Sequence, residues 1–200
     1  MDNLETIIPV TALIAILLFI FREVIDLIKK YKSKNAEVRT YKKLIARELE
    51  ENLWTYKVVF RTIKEVKQHL EEFPNPHFSL IYTHDARVLF RVRRMGEGTE
   101  LTGGHSLVNT KHVVFDRIII QLANSDASFF DLIQDAYDAI LDLESLRNAL
   151  IGYIQKEDPI NVKYIEGWFV YALEQEQEIF KKMDAAYQKC ANKPLTEHRL

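Results

Sequence analysis

The chain is poor in the residues that break helices and in the one that cross-links loops. Six glycines and five prolines in 200 residues leave few turn signals, which favours long helices over a many-turned β fold. A single cysteine, Cys190, excludes an internal disulfide and fits a reduced setting for the bulk of the chain. Structural zinc sites are excluded too, because six histidines supply no HExxH pair and one cysteine supplies no CxxC. Low-complexity tracts and internal repeats are absent. A hydrophobic content of 48% with 28% charged residues excludes compositional disorder, and a net charge of −2 selects no partner.

What is present begins with an apolar run, "IIPVTALIAILLFIFREVIDLIKKYKSK" at 7–34. Ile7 to Phe21 is apolar apart from Pro9 and Thr11, and at ~1.5 Å per residue it covers roughly 22 Å of a ~30 Å hydrocarbon layer. Extension to Leu4 and Ile28 closes the gap but admits Glu5, Arg22, Glu23 and Asp26 near the two interfaces. A cleaved signal peptide is disfavoured, because "MDNLET" is acidic and no small-x-small site follows the run. Ile7–Phe21 has no polar face, as a buried soluble helix would. A core or oligomer-forming helix is the competing reading.

The expectation is therefore an uncleaved transmembrane anchor in residues 1–33, built on Ile7, Ile8, Leu13, Ile14, Leu17, Leu18, Phe19, Ile20 and Phe21. Lys29, Lys30, Lys32 and Lys34 follow it. The positive-inside rule then places the N-terminus outside and the bulk in the cytoplasm, as a single-pass inner (plasma) membrane protein. The same lysines can meet anionic headgroups, making the lipid bilayer a partner.

Beyond the anchor, an apolar residue recurs every third or fourth position from Val38 to Phe73, which predicts one long helix ended by "PNPH". "FSLIYTHDARVLFRVRR" at 78–94 reads as either helix or strand. The helix is preferred, because a single strand lacks an obvious partner. "MGEGTELTGG" at 95–104 is the clear loop, followed by a predicted helix over about 106–123. "NSDAS" supplies N-cap chemistry for a helix through Ile154, and Asp158-Pro159 opens the last one. The expected fold class is all-α, with a transmembrane helix continuing into a cytoplasmic bundle of four to five helices over 34–190 and a polar tail over 191–200.

Three constellations bear on chemistry. His84-Asp85 resembles the adjacent His-Asp pair in the metal centre of HD-type phosphohydrolases; the plainer reading is a pair of first-turn helix residues. Arg87, Arg91, Arg93 and Arg94 lead into the loop that ends at Gly103 and Gly104, a set able to hold an anion or nucleotide if a helix starts there. No GxxxxGK[ST] accompanies it, and a solvated basic face is the plainer reading. Asp131, Asp135, Asp138 and Asp142 share a helix face opposite the apolar stripe, as a solvated face does. Charge is segregated: nine basic against three acidic residues over Arg22–Arg47, and twelve acidic against three basic over Ser125–Phe180. An acidic C-terminal half disfavours nucleic acid as a partner.

"LIARELEENLWTYKVVF" after a single N-terminal span resembles a loose class of small bacterial membrane-anchored helical proteins, some of them encoded among phage-defence and mobile-element genes. The resemblance covers residues 7–70 and carries no functional residues across. It implies a membrane-anchored interaction or regulatory protein, of the kind that serves as a defence or stress effector, with a protein partner or self-association and no cofactor. Two alternatives remain at this stage. One is a metal- or nucleotide-dependent phosphohydrolase using His84, Asp85 and the arginine loop. The other is a membrane-disrupting, toxin-like effector.

Overall fold

The computed structural model describes residues 10–72, 77–84, 88–93, 104–124, 126–155 and 162–196. In chain order these form α1 (Val10–Glu72), β1 (His77–Tyr82), β2 (Val88–Arg93), β3 (Gly104–Leu107), α2 (Val113–Ala123), α3 (Ala127–Gln155) and α4 (Val162–Ala191). The chain divides into two compact units, Met1–Tyr41 and Lys42–Leu200. The described part of the first unit is helical throughout; α1 contributes to both.

In the second unit the long helices carry the core. Ile45, Leu49, Val59, Ile63 and Val66 on α1 are fully buried, as are Ile133, Ile140, Leu143 and Leu150 on α3 and Ala172, Met183 and Ala186 on α4. Separations of 3, 4, 7, 10 and 11 residues, each a sum of threes and fours, put each set on one helical face, so the apolar pattern dictates which side turns inward. α3 packs along α4, and α2 and β1 lie against α3. The Tyr56 ring of α1 packs tilted against Phe180 at 5.8 Å, and its hydroxyl donates to the Glu176 carbonyl of α4 at 3.0 Å. The bundle closes at the C-terminus. Asn192 takes a left-handed conformation (φ 54°), and Leu195, within the segment read as a polar tail, is 3% exposed with its N–H on Asp184 at 2.6 Å.

The expected all-α class holds broadly, since the described residues are mostly helical, but His77–Tyr82, Val88–Arg93 and Gly104–Leu107 form a small three-stranded antiparallel sheet in the order β1-β2-β3. Phe90 pairs with Leu80 on one side and His105 on the other. Along β2, Val88, Phe90 and Val92 are buried while Arg91 is exposed, the period of two that marks a half-buried strand. The strand partners were hidden because one lay in a segment read as the start of a helix. With three strands on a helical layer, the sheet is no longer the isolated strand that made a helix seem preferable. The predicted helix over 106–123 accordingly begins only at Val113.

The transmembrane expectation is also overturned. Among the described residues no helix is long and apolar enough to cross a membrane. The uncharged part of α1 runs from Val10 to Phe21 and then meets Arg22, Glu23 and Asp26. Twelve residues at ~1.5 Å each give about 18 Å, well short of the ~30 Å hydrocarbon layer. The predicted single-pass inner-membrane placement is therefore not supported. Ile7 and Ile8 of the predicted span lie outside the described residues.

Candidate functional site

Of the residues singled out for phosphate or metal chemistry, only His84, Arg91, Gly104 and the backbone of Arg93 lie among the described residues. Asp85, Arg87, Arg94 and Gly103 lie outside the described residues, as does the side chain of Arg93. His84 is exposed in the turn after β1 rather than in the first turn of a helix. Among the described residues no group of three or more His, Cys, Asp or Glu could hold a metal ion. Arg91 and Gly104 are brought together, as a cross-strand pair of the β2–β3 ladder. Gly104 thus opens a strand, and a Cβ there would meet only the Phe90 carbonyl at an ordinary 3.5 Å. Asp131, Asp135, Asp138 and Asp142 are all exposed along α3.

The burial of Cys190 pushes its thiol up to about 12, so it is a poor nucleophile near neutral pH. A hollow in the second unit is lined by Tyr56, Arg61, Lys64, Glu65, His69 and Glu176, among others. Its charges are largely paired: Lys64 with Glu176 at 2.7 Å and Glu65 with His105 at 2.8 Å.

The polar chemistry of the second unit serves instead to hold the connector between β3 and α2. Glu48, 4% exposed on α1, accepts the N–H groups of Val114 and Phe115 at 2.8 and 3.3 Å and the hydroxyl of Tyr137. It caps α2 from a neighbouring helix, where the N-cap residue His112 makes no side-chain cap bond. One turn on, Asn52 donates to the Lys111 carbonyl and accepts its N–H, both at 2.7 Å. Thr55 donates to the Asn109 carbonyl at 3.4 Å, and Thr110 to Glu144 at 2.9 Å. Arg147 on α3 reaches the Leu107 carbonyl through Nε and Nη2 at 3.2 and 2.8 Å. Burial lowers the Arg147 pKa and raises that of Tyr137. Glu48, Asn52, Thr55, Thr110 and Arg147 each meet a partner, which makes this row a structural strap, although the neighbouring Ser106 hydroxyl is buried without one. Sequence reading passed over it, although Glu48 and Asn52 lie inside the "ELEENL" run and the i, i+4, i+7 spacing was legible.

The first unit presents a different surface. Every large apolar side chain from Leu13 to Tyr31 is 43–70% exposed, Phe21 and Tyr31 the most. Lys29, Lys30, Lys32 and Lys34 are exposed beside them. The stripe that forms the core of the second unit steps 3-4-3-4 through Ile45, Leu49, Asn52, Tyr56, Val59, Ile63 and Val66. Counted back in the same frame it meets the basic Lys42 and then passes through Val38, Asn35, Tyr31, Ile28, Val24, Phe21, Leu17 and Ile14. The flanking positions Leu18, Ile20, Ile25 and Leu27 are apolar as well, whereas Arg22, Glu23, Asp26, Lys29, Lys30 and Ser33 fall on the opposite side of the frame. From Ile20 onward the helix is therefore amphipathic. A shallow hollow on the apolar side is lined by Leu27, Ile28, Tyr31, Lys32, Asn35 and Arg39.

Comparison with protein-family models, curated proteins and solved structures finds no match for the chain.

Proposed function

We propose that this chain is a helical interaction protein: the second unit is the folded body, and the apolar face of α1 from Ile14 to Tyr31 is the docking element. The observation that carries the reading is the exposure of that face. At roughly 100 Å² per half-exposed large side chain, it offers on the order of 1,000 Å², beyond the ~300–600 Å² of the largest patch on an ordinary monomer. Apolar area of this size is driven to find cover at about 25 cal/mol per Å². Support also comes from the second unit, where the buried Glu48 and Arg147 hold the connector strap. An interaction role, scaffolding or regulatory, asks only for that exposed face on a stable body.

Chemical cross-linking in the source cells tests the reading. The wild-type chain is expected in species larger than its own 23.5 kDa, and a Phe21→Glu/Ile28→Glu variant is expected to run alone. Recovery of the wild-type chain only at its own mass would overturn the proposal.

A further inference from the structure

Resting on that reading, we infer that the occupant of the α1 face is a second copy of this chain, laid parallel and in register. Three observations point to self-recognition. The first is the frame itself. Ile14, Phe21, Ile28 and Asn35 occupy one core position of a seven-residue repeat, and Leu17, Val24, Tyr31 and Val38 the other. That is the pattern of a helix that packs against another helix like it. Ile14, Leu17, Phe21, Val24, Ile28 and Tyr31 are 47–70% exposed in the single chain.

The second is area. Roughly 1,000 Å² per chain exceeds the ~800 Å² per partner that a standard stable interface buries. The third is Asn35, exposed on α1 in line with the apolar hollow. A lone asparagine at a core position costs stability against an apolar partner. It is satisfied when the same asparagine of an identical parallel helix sits at its level, which fixes register.

Charge sharpens the prediction. In a parallel pair, Lys34 of one helix lies near Arg39 of the next, five residues further on, so like charges meet at the rim. Self-association should therefore tighten as salt screens that repulsion. Docking of the basic segment onto the acidic α3 row of another copy would behave in the opposite way.

The test uses the full-length chain with Cys190→Ser, so that introduced cysteines report alone. Val24→Cys at a core position is expected to oxidise rapidly to a disulfide-linked dimer, and Lys30→Cys on the outer side at least tenfold more slowly. Asn35→Leu is expected to tighten association and broaden its stoichiometry. Equal rates at the two cysteines, or association that weakens between 50 and 500 mM salt, would overturn the inference. So would a purified chain that remains monomeric or that binds phospholipid vesicles in preference to itself. If the purified chain is monomeric yet is cross-linked into larger species in its source cells through the same face, the interaction reading survives and only self-recognition falls.

Discussion

Leu49 and Leu17 stand in the same seven-residue frame on one helix, yet Leu49 is fully buried and Leu17 is 55% exposed. The contrast extends along the whole stripe. Ile45, Val59, Ile63 and Val66 are fully buried in the second unit, whereas Phe21, Val24 and Ile28 of the first unit remain open. A periodic apolar face specifies that something must cover it and leaves open what does. In the second unit the cover is intramolecular, and the polar groups beside the stripe have built-in partners. In the first unit the flanking residues are apolar or basic, and the cover we propose is a second copy of the chain.

The largest effect that would sharpen this contrast is a pair of truncations. Leu49→Ala should cost about 2–5 kcal/mol through lost burial and a cavity, read as a drop in the denaturation midpoint. Leu17→Ala should leave the same midpoint within about 0.5 kcal/mol while weakening association. Equal losses of folding stability at both positions would break the distinction between the two regions.

Next in size is the strap. Glu48→Ala leaves two N–H groups of α2 and the Tyr137 hydroxyl without their acceptor, at about 1–3 kcal/mol for the stranded groups. Hydrogen exchange should rise first at Val114 and Phe115; unchanged protection there would remove Glu48 from the account. Chemical accessibility gives a third contrast. Cys190 should react slowly with a thiol reagent at pH 8 and rapidly once the chain is unfolded, because burial raises its pKa to about 12. A fast native reaction would mean that the C-terminal end of α4 is open.

The smallest effect concerns pH. The Lys111 ammonium beside Glu51 lowers the Glu51 pKa below its usual range. A depressed carboxylate adds stability above its unfolded pKa and loses it as pH falls through the folded one. Lys111→Ala should therefore flatten the acid limb of the stability curve slightly, by less than about 1 kcal/mol for a partly exposed pair.

How much of this was legible in sequence follows from the range of each interaction. The long helices α1, α3 and α4 were readable because a 3.6-residue apolar period is local. The sheet was not, since Phe90 needs Leu80 and His105 as cross-strand neighbours and neither pairing is encoded nearby. Glu48 and Asn52 appeared as ordinary acidic and polar helix residues, because their partners lie 59–89 positions away. The run through Phe21 reads as a membrane span only by extension to Ile28, and Arg22, Glu23 and Asp26 in that extension break the span. Its seven-residue frame was present in the same letters, and Asn35 carries more information there than any of the leucines.

The central claim is that one stripe closes the fold at Leu49 and closes an assembly at Phe21. Sedimentation equilibrium of the purified full-length chain over a hundredfold range of concentration tests it most directly. The expected result is a mass that rises to a whole-number multiple of 23.5 kDa and returns to the single-chain value in Phe21→Glu/Ile28→Glu, with its thermal midpoint unchanged. A single-chain mass for the wild-type protein across the entire range would contradict it.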